Sequence, residues 1–160
     1  MPCPRRPPTA AEPLVGVALL ASRWIERLLA THEPQLTLGQ FLALRTIARE
    51  PVTSAELARR TGVSSAAVSQ LIAVVDQAGW IERTHAPADR RRQVLALTPA
   101  GKRVYASSSR TVNSRLTELL GALPQPEADR LGRLLERLEH ALDGTPPPRR
   151  PPPFPPGRHV

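Results

Sequence analysis

Residues 53–79, TSAELARRTGVSSAAVSQLIAVVDQAG, constrain the fold most, because nearly every position carries a start, stop or packing signal. Thr53 and Glu56 have the spacing of a capping box, in which each side chain satisfies a backbone N–H at the helix start. Gly62, four residues after Ala58, supplies the left-handed turn that ends a helix. Ser64 is suited to cap a second helix. That helix carries Val68, Leu71, Ile72 and Val75 on one stripe. Its opposite face holds Ser65, Ala66, Ser69, Gln70 and Ala73, where most surface helices carry long charged side chains. Two short helices about a glycine turn, with small Ala58 at their closest approach, form the pattern of a helix-turn-helix.

The flanking sequence is punctuated in the same way. A first helix is expected from about Pro13 to Ala30, then a turn, THEPQL. Thr37 and Gln40 make another capping box, and Leu36 with Phe41 fits a hydrophobic staple. This helix is expected to end near Glu50, before Pro51. After Gly79 the pattern changes to short β-type runs, WIERTH and RQVLALT, separated by the turn-forming APADR. Thr98 followed by Pro99 starts a long helix to about Leu123. The last helix carries Leu131, Leu134, Leu135, Leu138 and Leu142 as one stripe. The expected fold class is mainly α with a small β-hairpin wing: a winged helix-turn-helix plus a helical dimerisation domain. The expected domains are a Pro-rich disordered leader (1–13), an N-terminal dimerisation helix and turn (14–36), the winged lobe (37–98), C-terminal dimerisation helices (99–143) and a disordered Pro/Arg tail (144–160).

A recognition helix must press against base edges in a groove about 12 Å wide, and small polar residues let it do so. Ser64, Ser65, Ala66, Ser69 and Gln70 are therefore the candidate DNA contacts on the helix. Serine bonds either kind of edge group, glutamine pairs with adenine, and an alanine methyl touches a thymine methyl. The competing reading is a small-residue face packed on another helix. On the wing, Arg90, Arg91 and Arg92 suit a narrow minor groove, and Asp89 either orients an arginine or caps the turn. The competing reading is a solvated charge run. Placement beside the recognition helix favours DNA.

Charge agrees with a polyanionic partner. The formal net charge is +8, and Lys102 is the only lysine, so arginine supplies nearly all of the excess. A coding bias toward Arg explains Arg over Lys, but not the excess over acids. Lone Cys3 rules out an intrachain disulfide, and a reducing cytoplasm is the expected setting, at the nucleoid when DNA is bound. The run LVGVALLA at 14–21 continues into an amphipathic pattern, so neither a signal peptide nor a membrane span is expected.

The residues resemble the MarR family of bacterial transcriptional regulators. The likeness runs over about residues 14–143 and is most specific in the middle. Asp89, Arg91, Leu97 and Thr98 match the family's wing signature, and GWIER at 79–83 matches its entry into the wing, with Arg83 in its usual place. The resemblance implies a homodimer built from the first and last two helices. It places the Arg91 side chain in the minor groove. It also implies a small aromatic or phenolic effector bound between dimer domain and DNA-binding lobe, near Trp24, His32, Phe41 and Arg45. Family recognition helices often carry a longer basic residue near Gln70, so here the wing arginines and DNA shape are expected to carry much of the affinity.

A dimer reads two half-sites about one helical turn apart, so the expected partner is double-stranded DNA with a pseudo-palindromic operator. The expected function is a dimeric repressor released from DNA by a small ligand. The alternatives are a winged-helix module that binds protein, which has no need of Arg90 to Arg92, and an architectural protein that binds DNA without sequence preference. No enzyme is expected: there is no phosphate loop and no nucleophile with a base. No cofactor is expected, and His32, His85, His140 and His159 are too scattered for a metal.

Overall fold

Local capping sets the element boundaries. The computed structural model describes residues 10–86 and 89–143, with only the backbone described for 86, 89–92 and 143. The order is α1 (Ala11–Ala30), α2 (Leu38–Arg49), α3 (Ser54–Thr61), α4 (Ser65–Gln77), β1 (Ile81–Ala86), β2 (Asp89–Leu97), α5 (Pro99–Leu120) and α6 (Gln125–Asp143). Both capping boxes form. Gln40 N–H donates to Thr37 Oγ1 at 3.1 Å, and Thr37 N–H donates to Gln40 Oε1 at 2.8 Å. Thr53 and Glu56 repeat the exchange at 3.2 and 2.8 Å. Gly62 takes φ 71°, and its N–H donates to Ala58 O at 3.0 Å, closing α3.

Three boundaries differ from the sequence expectation. α1 starts at Ala11, ahead of Pro13, because a helix tolerates proline in its first turn. α5 ends at Leu120, where Gly121 caps it. The strands reach further toward the wing tip than APADR suggests, since Ala86 and Asp89 are paired. The hairpin is antiparallel, with Ile81 opposite Leu97 and His85 opposite Gln93, and the register shifts between His85 and Ala86. The backbone of Arg90, Arg91 and Arg92 therefore lies in the irregular segment between Asp89 and Gln93. Val52 adds a bridge to the far edge of β2: Leu95 N–H donates to Val52 O at 2.8 Å and Val52 N–H to Leu95 O at 3.2 Å.

One core joins these parts. Leu44, Leu57, Val68, Val75, Val52 and Leu95 are among its buried members, so α2, α3, α4 and the wing share a single apolar centre. Leu29 of α1 and Val112 of α5 close it from the other side. Thr98 fastens the wing to α5. Its hydroxyl donates to Gly79 O at 2.7 Å and accepts from Gly101 N–H at 3.0 Å, while its own N–H donates to Trp80 O at 3.1 Å.

The outer helices are finished differently. On α1, Val17, Leu19 and Leu20 are exposed, as are Leu119 of α5 and Leu134, Leu135 and Leu142 of α6. Among its described residues α6 has none that is buried. The leader 1–9 and the tail 144–160, including Cys3, lie outside the described residues.

Candidate DNA interface and the cavity behind it

The face of α4 that the core does not use is open. Val68, Ile72 and Val75 point into the core, and Ser65, Ala66, Ser69 and Gln70 are exposed beside the capping Ser64. Among the described residues no helix covers them, so packing among those residues is not the reason for their small size. Ser64 Oγ accepts from Ala67 N–H at 3.3 Å. Ser69 Oγ donates to Ser65 O at 2.9 Å, which spends its proton within the helix and leaves its lone pairs outward-facing acceptors. Serine at 69 is thus held as an acceptor in the free chain.

Arg83 is exposed on β1 and lines a shallow groove with Thr53, Ser54 and Gln93, beside the start of α3. Asp89, Arg90, Arg91 and Arg92 follow on β2; their side chains lie outside the described residues. By position in the chain the structure thus sets the α4 face and the wing on one winged lobe.

The four residues expected near an effector are divided. Phe41 and Arg45 line an open cavity of about 470 Å³ between α1, α2 and α5, with Ile25, Tyr105, Ser109 and Asn113 among the other walls. This is the size range of small-molecule sites, and its lining of apolar groups with a few polar ones suits a small amphipathic ligand. The Phe41 and Tyr105 rings stand 6.0 Å apart at 37°. Trp24 instead lines an apolar groove between α1 and α5, with Val17, Leu20 and Leu119. His32 sits in the α1–α2 turn, where its Nδ1 lies 3.1 Å from Pro34 O. Neither reaches the cavity wall.

Tyr105 and Arg49 also line this cavity and were not among the expected effector residues, nor was Glu139, which pairs with two of its arginines. Arg45 and Arg49 are four apart on α2, so they share a face, a signal that was available. Glu139 gave none, since it comes from α6. Its Oε1 accepts from Arg45 Nη2 at 2.7 Å and Arg49 Nη2 at 2.6 Å. The Arg45 hydrogen bond, then that of Arg49, holds the Glu139 carboxyl below its usual range, against a smaller opposing effect of burial. Among the described residues no group of three His, Cys, Asp or Glu could hold a metal ion. No helix among them is long and apolar enough to cross a membrane.

Comparison with known proteins agrees with this geometry. A family model described as the MarR family matches residues 35–92, from the turn before α2 into the wing. The transcriptional regulator HosA of Escherichia coli O111:H- is 30% identical over 112 residues, which are 69% of this chain and 83% of HosA. The crystal structure of the Mycobacterium tuberculosis MarR family protein Rv2887 in complex with DNA is similar at a TM-score of 0.67 and 25% identity, covering 83% of this chain and 98% of that one. Rv2887 in complex with salicylic acid is similar at 0.68 and 25%, covering 85% and 99%. The helix-turn-helix, the wing and the flanking helices are therefore shared over nearly the whole of those proteins, and the chain belongs to the MarR family.

Proposed function

We propose that this chain is a sequence-specific DNA-binding transcriptional regulator, a dimeric repressor that a small aromatic acid releases from DNA. The observation that carries the reading is the exposed, uncharged face of α4, capped by Ser64 on a helix otherwise locked into the core. A rigid helix with such a face can lie deep in the major groove, because nothing long must be moved aside. Ser64, Ser65, Ala66, Ser69 and Gln70 take the base edges and nearby phosphates. Arg83 and the wing residues Asp89, Arg90, Arg91 and Arg92 serve the flanking backbone and minor groove. The DNA complex of Rv2887 supports this assignment.

In this reading residues 37–98 form the DNA-binding lobe. The helices within 14–36 and 99–143 pair with a second copy through the exposed leucines of α1, α5 and α6. The partner is double-stranded DNA with a pseudo-palindromic operator, and the site of action is the cytoplasm, at the nucleoid. The cavity under α2 receives the effector, with Phe41 and Tyr105 beside its ring and Arg45 near its acid group. Rv2887 complexes with salicylic and p-aminosalicylic acid support this ligand class. The chain acts by binding, and no catalytic residue is assigned.

The test is a fluorescence-anisotropy titration of a duplex pool with the full-length chain, with and without salicylate. Binding that saturating salicylate weakens supports the whole reading. Binding indifferent to salicylate removes that effector class. No binding at low salt overturns the reading.

A further inference from the structure

Two cations on the wall of the cavity under α2 are already paired. Arg45 and Arg49 line it, and both also line a smaller recess of about 120 Å³ between α2 and α3, with Thr46, Arg60 and Thr61. Arg60 is paired with Glu50. Arg45 and Arg49 converge on a single oxygen, Glu139 Oε1. Both are charge-assisted hydrogen bonds, the kind by which arginines hold a carboxylate ligand. The chain itself thus demonstrates what this place accepts.

Resting on the reading of the chain as a ligand-released regulator, we propose that Arg45 and Arg49 form a carboxylate-binding site whose resident occupant is Glu139. A small carboxylate effector acts by taking its place and freeing α6 from α2. Three observations carry this. The occupant is exchangeable: the side chains of Arg45 and Glu139 are each 40% exposed, so water and solutes reach the pair. The occupant is tethered over 90 residues or more of chain, so it competes as a local reagent and not as part of a packed core. The attachment also matters to α6. Glu139 of α6 reaches both Arg45 and Arg49 of α2, so one carboxylate ties the two helices at two points. Displacing that carboxylate removes a tie between α6, whose apolar face is assigned to the dimer, and α2, which carries the core side chains Leu44 and Ile47. Ligand charge is converted into a change in how dimer helix and DNA-binding lobe are joined.

The test uses benzoate, and benzamide as its neutral counterpart, titrated calorimetrically into full-length wild type, Glu139→Gln and the double variant Glu139→Gln with Arg45→Gln. Glu139→Gln is expected to bind benzoate up to about fivefold more tightly than wild type, because the competing charge is gone. Benzamide binding is expected to be unchanged, and the double variant to lose the gain. Benzoate is expected to speed hydrogen exchange of α6 amides in wild type, with Glu139→Gln already fast before it is added. Equal benzoate affinity of wild type and Glu139→Gln overturns the proposal, as does failure of Glu139→Gln to bind benzoate. Unchanged α6 exchange overturns the release step. Anisotropy of the ligand-free wild type on duplex DNA is read separately: absence of DNA binding with the benzoate result intact defeats the regulator reading and leaves the site.

Discussion

A Cβ on Gly101 would stand 1.9 Å from the Trp80 carbonyl oxygen and 2.8 Å from its carbonyl carbon. Both atoms are backbone at the entry to the wing, so neither can swing aside. Glycine at 101 therefore lets α5 lie against the wing's first residues, beside the Thr98 hydroxyl that joins them. Gly101→Ala is expected to lower stability by about 1–3 kcal/mol in urea unfolding. Gly16→Ala serves as control: it lies in α1 with nothing within 4 Å of the added methyl, and it should be neutral or slightly stabilising. An equal effect of the two would sink the close-approach account. Glu139 makes a second prediction at this scale. Its carboxyl is held below the usual range in the folded chain by Arg45 and Arg49. A depressed folded value means its stabilisation is present above the ordinary carboxylate range and is lost as pH falls through the folded value. The stability gap between wild type and Glu139→Gln should be present at neutral pH and close in acid. With the pair 40% exposed, the gap should not exceed about 1 kcal/mol.

At the scale of elements, the recognition helix is rigid and the wing carries the long cations. With few long side chains on α4, phosphate and minor-groove contacts from the wing should dominate affinity. Arg91→Ala is expected to weaken operator binding more than Ser69→Ala does, about tenfold against a few-fold in anisotropy titrations; the reverse order would contradict this division of labour. The elements were legible because their signals are local: Thr37 with Gln40, Thr53 with Glu56, Gly62 and Thr98-Pro99 act within one helical turn of the boundaries they set. What was not legible is non-local. Val52 pairs with Leu95 through a single residue, too short to alternate as a strand does. The tip pairing of Ala86 with Asp89, and the register shift between His85 and Ala86, are matters of cross-strand pairing that reading APADR as a turn did not give. Of the expected effector residues, Phe41 and Arg45 stand on the cavity wall because α2 faces it. Trp24 falls one face away on α1, a rotation that apolar spacing alone cannot set. Glu139 reaches Arg45 only after α6 has folded back across 94 positions of chain.

At the scale of the whole molecule, a winged lobe with a filled core carries outer helices with bare leucines. Leu20 is 69% exposed and Leu135 47% exposed in the single chain. An apolar surface of this kind on α1, α5 and α6 marks an interface. Combining Leu20→Glu with Leu135→Glu should leave the lobe folded, convert a dimer to a monomer in sedimentation, and weaken DNA binding because two half-sites are no longer read together. A monomeric wild type would contradict this. The central claim is that the small face of α4 reads DNA sequence as one half of a symmetric pair. It is tested most directly by selecting bound duplexes from a random-sequence pool with the full-length chain at two salt concentrations. The account predicts enrichment of a pseudo-palindrome with half-sites about ten base pairs apart, retained at the higher salt. Binding that falls steeply with salt and enriches no sequence would contradict it, and would make the chain an architectural DNA-binding protein instead.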